Sequence, residues 1–269
     1  MRIEPPFALF VLSTGRCGTQ WLAQHLGQAC GAFATVTHEP LHEAYHSRQM
    51  LGAGDPRRLG PEIAAPILAH LDSVGRCLQK QPYIECGYPC WSSIPWFAEQ
   101  LGGRLRILHL TRHPVSTAMS WLTHGVYQAP LAAHLKERVL LSPFDDGVEL
   151  IEYREQWARM SPFEKCLYWW TELHRFGLAQ EQRLGLPWLR LRFEDLISGA
   201  AIAPLGNFLG MPVDKALEQA RTQVVDQHRF VTLERPPPGV MRRHPRVVEM
   251  ARALGYEADD PAIWSKVPV

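Results

Sequence analysis

The chain has 269 residues and a formal net charge of +1, with 46% hydrophobic and 20% charged residues. That composition supplies enough apolar material for a buried core and is not the composition of a disordered chain. A near-neutral balance excludes a global field drawing it to nucleic acid or to an anionic membrane, so any anion site rests on a local concentration of Arg.

The first apolar run, Phe7 to Leu12, has the length of a strand. It is too short for a signal-peptide core, and Glu4 stands just before it. No run approaches the roughly 20 residues needed to span a bilayer. The expectation is a cytoplasmic protein with no integral membrane segment and no nucleic-acid partner.

After Leu12 the chain breaks into Ser13-Thr14-Gly15-Arg16-Cys17-Gly18, and a helical pattern opens at Thr19-Gln20-Trp21-Leu22. A strand, a tight glycine turn and a helix start aim several free backbone N–H groups, and the positive end of a helix dipole, at one anion. The nucleotide loop GxxxxGK[ST] would carry Lys and Ser/Thr after its second glycine. Here Thr19 and Gln20 stand there, so the phosphate lysine and the magnesium hydroxyl are displaced. The loop suits a phosphate-like anion that needs no metal, which suggests a sulfate donor. A thiol in such a loop, Cys17, is expected to have a lowered pKa.

Further strand-like runs fall at 33–37, 83–86, 106–111 and 188–193, with helical patterns between them. Strands alternating with helices imply a parallel sheet covered on both faces. After the second run comes Thr37-His38-Glu39-Pro40-Leu41-His42, beyond a strand end and so on the presumed ligand edge. The fourth run ends in Thr111-Arg112-His113-Pro114, with Pro114 suited to a first helical turn and Ser120 inside the helix. Ser161-Pro162-Phe163-Glu164 has the spacing of a capping box, and its helix runs through Tyr168, Trp169 and Trp170 to Leu184 before Gly185 and Pro187 end it. Segment 121–160 reads as a helical insertion. The whole chain, 1–269, reads as one domain. The six cysteines are scattered without a zinc pattern, so no metal site is expected.

An Arg at a strand end is often a surface ion pair, and a helical Ser is often solvated. What raises Arg112 and Ser120 above that is their place on the edge that also carries the 13–20 loop, which gives two anion sites for a ligand with phosphates at two positions. With these residues in view, the sequence resembles the sulfotransferases that use 3′-phosphoadenosine-5′-phosphosulfate (PAPS). Thr14-Gly15-Arg16-Cys17-Gly18-Thr19-Gln20-Trp21-Leu22 is similar to the family's 5′-phosphosulfate loop. Leu110-Thr111-Arg112-His113-Pro114 through Ser120-Trp121 is similar to its 3′-phosphate motif. Weaker echoes are Arg192-Phe193-Glu194-Asp195-Leu196 and Leu254-Gly255-Tyr256. Arg16 stands where many cytosolic members carry Lys, as in the bacterial and carbohydrate-type branch.

The resemblance implies a P-loop-like three-layer α/β fold and in-line transfer of a sulfuryl group from PAPS to an acceptor hydroxyl or amine, leaving PAP. It implies that Gly15, Arg16, Cys17, Gly18, Thr19 and Gln20 hold the 5′ end and that Arg112 and Ser120 hold the 3′-phosphate. Glu39 becomes the expected base, with His38 and His42 as rivals and Arg16 stabilising the departing charge. The acceptor is a small molecule, a carbohydrate or a lipid. Trp121 and Tyr127 are the aromatics best placed to meet it, and the arginines at 229, 235, 242 and 243 are a candidate flap. Two alternatives stand beside this reading: a kinase on the same fold, and a catalytically silent nucleotide-binding or scaffold protein.

Overall fold

The computed structural model of the protein describes residues 5–223 and 236–265, except Ala129, 131–134, 136, 137, Pro238 and Asp259. Five strands, β1 (Ala8–Leu12), β2 (Thr35–His38), β3 (Tyr83–Cys86), β4 (Leu105–Thr111) and β5 (Trp188–Arg192), form one sheet in the order β2-β3-β1-β4-β5. Every pairing is parallel, with β1 between β3 and β4 and Leu12 beside His109.

Alternation along β1 explains the layers. Ala8, Phe10 and Leu12 enter one apolar core, and Leu9 and Val11 enter another on the opposite face. A strand fully buried on both faces is apolar at every position, and all five residues of β1 are buried. Helices α1 (Thr19–Cys30), α7 (Phe193–Ser198), α8 (Ile202–Leu209) and α9 (Asp214–Ala220) contribute to the second core. Helices α2 (Ser47–Ala53), α3 (Pro61–Cys77), α4 (Ile94–Leu101), α5 (Pro114–Leu122), α6 (Pro162–Leu184) and α10 (Pro245–Ala253) contribute to the first. The expected three-layer α/β fold is therefore present.

Local chemistry sets the helix ends. Ser161 and Glu164 form the expected capping box, with Pro162 in the first turn, and α6 stops at Gly185 in the left-handed region. Pro114 opens α5, where the His113 ring accepts from the Val115 N–H. The segment 121–160, described only in part, carries helical pieces of its own, as expected of the insertion. Its described residues include helical positions at 135 and 138 and two 3-10 segments at Ile151–Glu155 and Trp157–Arg159, with turns between them. Gly125, Tyr127 and Gly147 have positive φ and mark turns between these pieces.

Candidate active site

The loop between β1 and α1 is tied down by its own side chains. The Gly15 N–H donates to Ser13 Oγ at 2.9 Å, the Cys17 thiol to the Gly15 carbonyl at 3.1 Å, and the Trp121 indole to the Thr14 carbonyl at 3.0 Å. Gly15, Arg16 and Gly18 have φ of 72°, 54° and 82°. Gly18 also needs its missing side chain, since a Cβ there would stand 2.2 Å from the Phe193 ring. The first helical bond runs from the Leu22 N–H to the Gly18 carbonyl at 2.9 Å. The amides of Thr19, Gln20 and Trp21 precede it at the positive end of the α1 dipole. Thr19 is buried and the Gln20 side chain is exposed.

Because β4 lies beside β1, its end brings Arg112 to this loop. Arg112 Nη1 donates to the Arg16 carbonyl at 2.7 Å, and its guanidinium lies 5.3 Å from the Phe193 ring centre. The Trp170 indole holds the Arg112 carbonyl at 3.0 Å. Ser120, within α5, accepts from Arg16 Nε at 2.9 Å. Arg16, Arg112 and Ser120 thus form one hydrogen-bonded cluster, although 104 residues separate Arg16 from Ser120.

Behind the cluster stands a layer that is visible in the sequence only as the weaker echoes at 192–196 and 254–256. The Glu194 carboxylate accepts from the His113 N–H at 3.0 Å and from the Tyr256 hydroxyl at 3.1 Å. Tyr256 also bonds Thr111 at 2.9 Å, and Arg192 donates to the Gly255 carbonyl at 3.0 Å. These contacts fix Phe193 under Gly18 and Arg112, which accounts physically for the 192–196 and 254–256 motifs.

Glu39 enters from the other side. It has φ 45°, and its N–H donates to the Cys86 carbonyl at 3.2 Å. Its side chain is only 16% exposed. Burial pushes its carboxyl up to about 7, against the opposing Tyr88 N–H and Arg16 charge, and with help from the like charge of Glu43. His38 Nε2 lies 3.6 Å from Glu39 Oε1 and 3.4 Å from Thr19 Oγ1, linking the carboxyl to the loop. His42 is exposed, and its backbone N–H caps the Glu39 carbonyl at 3.0 Å. A carboxyl balanced between its protonated and ionised forms near neutrality, beside an arginine, can take a proton and release it again.

Three expectations need correction or closer definition. Cys17 is fully buried, and desolvation raises its thiol pKa, with the Thr14 hydrogen bond and the Arg112 charge only partly opposing. The expected activation by free amides fails because the side chain points into the core. Trp121 is buried as a prop for the β1–α1 loop, and the Tyr127 hydroxyl is bound to the Leu141 carbonyl at 2.6 Å, so their polar atoms serve the fold. Of the arginine cluster, Arg229 and Arg235 lie outside the described residues, and Arg243 pairs with Glu164 at 3.0 Å. Among the described residues no three His, Cys, Asp or Glu side chains are grouped to hold a metal ion. None of the helices among them is long and apolar enough to cross a membrane.

This architecture is the sulfotransferase fold. The sulfotransferase domain from the curacin biosynthetic pathway superposes with a TM-score of 0.55 at 16% identity, covering 94% of this chain and 98% of that one. The sulfotransferase domain from the Synechococcus PCC 7002 olefin synthase gives 0.55 at 17% identity, covering 96% and 98%. No protein-family model matches the chain, and no curated protein matches it in sequence.

Proposed function

We propose that the protein is a sulfotransferase that moves a sulfuryl group from PAPS to an acceptor hydroxyl or amine, releasing PAP. The observation that carries this reading is the Arg16–Ser120–Arg112 cluster at the N-terminus of α1, with the Glu39 carboxyl across from it. In this reading the amides opening α1 and the Thr19 hydroxyl hold the 5′-phosphosulfate. Arg112 and Ser120 hold the 3′-phosphate. The Ser120 oxygen accepts from Arg16, which leaves its own proton for a phosphate oxygen.

Glu39 takes the proton from the acceptor as the acceptor's oxygen or nitrogen bonds to sulfur. The bond from sulfur to the bridging oxygen of the 5′-phosphate breaks, and its electron pair leaves with PAP. Arg16, permanently charged and able to make two parallel contacts, meets that charge. His38 spans Thr19 and Glu39 and orients the base. Positioning and charge stabilisation carry the rate, as in phosphoryl transfer. Arg at position 16 favours the bacterial and carbohydrate-type branch, and the acceptor is a small molecule, a carbohydrate or a lipid.

Calorimetric titration with PAP tests the donor site. One PAP should bind per chain, far more tightly than 5′-AMP, and should bind as well in EDTA as in magnesium. Absence of PAP binding would overturn the proposal.

A further inference from the structure

We propose that Gly87 and Tyr88, on the loop that follows β3, are positioning residues that set the Glu39 carboxyl against the donor loop; this rests on the assignment of Glu39 as the base. Glu39 is a non-glycine residue in the left-handed region, at φ 45°. That conformation is strained for a residue with a Cβ and persists where the surroundings over-determine it. Two hydrogen bonds do so through the backbone, from the Glu39 N–H to Cys86 and from the His42 N–H to Glu39.

Gly87 supplies the third constraint by what it lacks. A Cβ built there would come within 2.7 Å of Glu39 Cγ, 3.2 Å of its backbone N and 3.3 Å of its Cα. Gly87 is not among the glycines with positive φ, so its backbone does not demand glycine. The Glu39 side chain occupies the space that any other residue at 87 would fill.

Tyr88 reaches both halves of the site. Its backbone N–H lies on the side of the Glu39 carboxyl and favours the ionised form, opposing the effect of burial. Its ring stands edge-on to Trp121 at 5.3 Å and to Trp169 at 6.1 Å. The same ring closes over the donor loop, where a Cβ on Gly15 would meet it at 2.9 Å. One buried residue, next in the chain to the glycine that faces Glu39, thus packs its side chain against the β1–α1 loop. Aromatic rings wedged among other rings are stiff spacers, and in-line transfer needs the base and the donor held to within a fraction of an ångström.

The test of the positioning itself needs no acceptor. Protein carrying ¹³C-carboxyl glutamate is titrated by NMR with PAP bound and free, and Glu39→Gln assigns the resonance. In the wild type the midpoint should lie at about 7, where burial places it. Gly87→Ala drives the side chain outward, so its midpoint should fall by about one unit or more, a roughly tenfold loss of proton affinity, while PAP affinity stays within about twofold. Gly75→Ala, where a Cβ meets nothing within 4 Å, should change neither quantity.

Tyr88→Leu keeps the amide and removes the ring. It should lower the Glu39 midpoint and weaken PAP together, the latter about fivefold or more. A folded Gly87→Ala protein with an unmoved midpoint would overturn the proposal. If that variant does not fold, a Tyr88→Leu protein with wild-type midpoint and PAP affinity overturns it instead. Failure of the base assignment looks different: Glu39→Gln would transfer sulfate normally while the Gly87→Ala midpoint still moved.

Discussion

Replacing Arg112 with Ala removes two interactions of different kinds, and their separation tests the donor site. The first is the 2.7 Å bond to the Arg16 carbonyl, which holds a residue at φ 54° within the loop. A net hydrogen bond of this sort is worth about 0.5–1.5 kcal/mol, and every ligand of the loop should feel its loss. The second is the charge-assisted contact assigned to the 3′-phosphate, worth about 1.5–3 kcal/mol and present only when a 3′-phosphate is bound. Arg112→Ala should therefore weaken 5′-AMP by roughly 2- to 12-fold, and PAP by about 12- to 150-fold beyond that. Phe193 keeps its place, because Glu194, Tyr256 and Arg192 hold it independently of Arg112. Calorimetry with both ligands on the same preparation reads the ratio directly. Equal losses for PAP and 5′-AMP would remove Arg112 from the 3′-phosphate.

Glu39 works as a base only when ionised, so turnover should fall as pH drops through about 7 and level off above it; a flat profile from pH 5.5 to 8.5 would contradict the assignment. Glu39→Gln should cost about 10²–10⁴-fold in single-turnover rate with little change in PAP affinity, while His38→Ala and His42→Ala cost much less. Because burial raises the Glu39 pKa from 4.5 to about 7, ionising it in the fold is unfavourable, and stability is lost as pH rises across that window. Glu39→Gln should then melt higher than the wild type at pH 8 and show no such gain at pH 4. Cys17, buried with a raised pKa, should resist iodoacetamide at pH 8 in the native protein and react once unfolded; rapid native labelling at Cys17 would refute its placement.

Sheet and donor loop were legible because their constraints are local. An apolar run of strand length, two glycines and a helix opening prescribe β1, the turn and α1, and the structure places them at Ala8–Leu12, Ser13–Gly18 and Thr19–Cys30. The neighbourhood of Arg112 and the loop followed from topology, since neighbouring parallel strands present their carboxyl ends on one edge. Orientation was not legible. Whether the Cys17 thiol faces the anion or the core depends on the φ of its neighbours and on Thr14, and composition records neither. Gly87 and Tyr88 were passed over because their part depends on Glu39, 48 and 49 positions earlier, folding back onto the end of β3. A glycine followed by an aromatic at the end of a central strand was the one signal available for them.

The most direct test of sulfuryl transfer uses ³⁵S-labelled PAPS with a panel of hydroxylated and amino acceptors, in the presence of EDTA. Gln20 occupies the place of a magnesium hydroxyl in the loop, so chelation should leave the reaction intact. The account predicts that label moves from PAPS to at least one acceptor with stoichiometric release of PAP, and that Glu39→Gln abolishes the movement while still binding PAP. Label that stays in PAPS across the panel while PAP binds normally, or transfer that vanishes in EDTA and returns with magnesium, would contradict it.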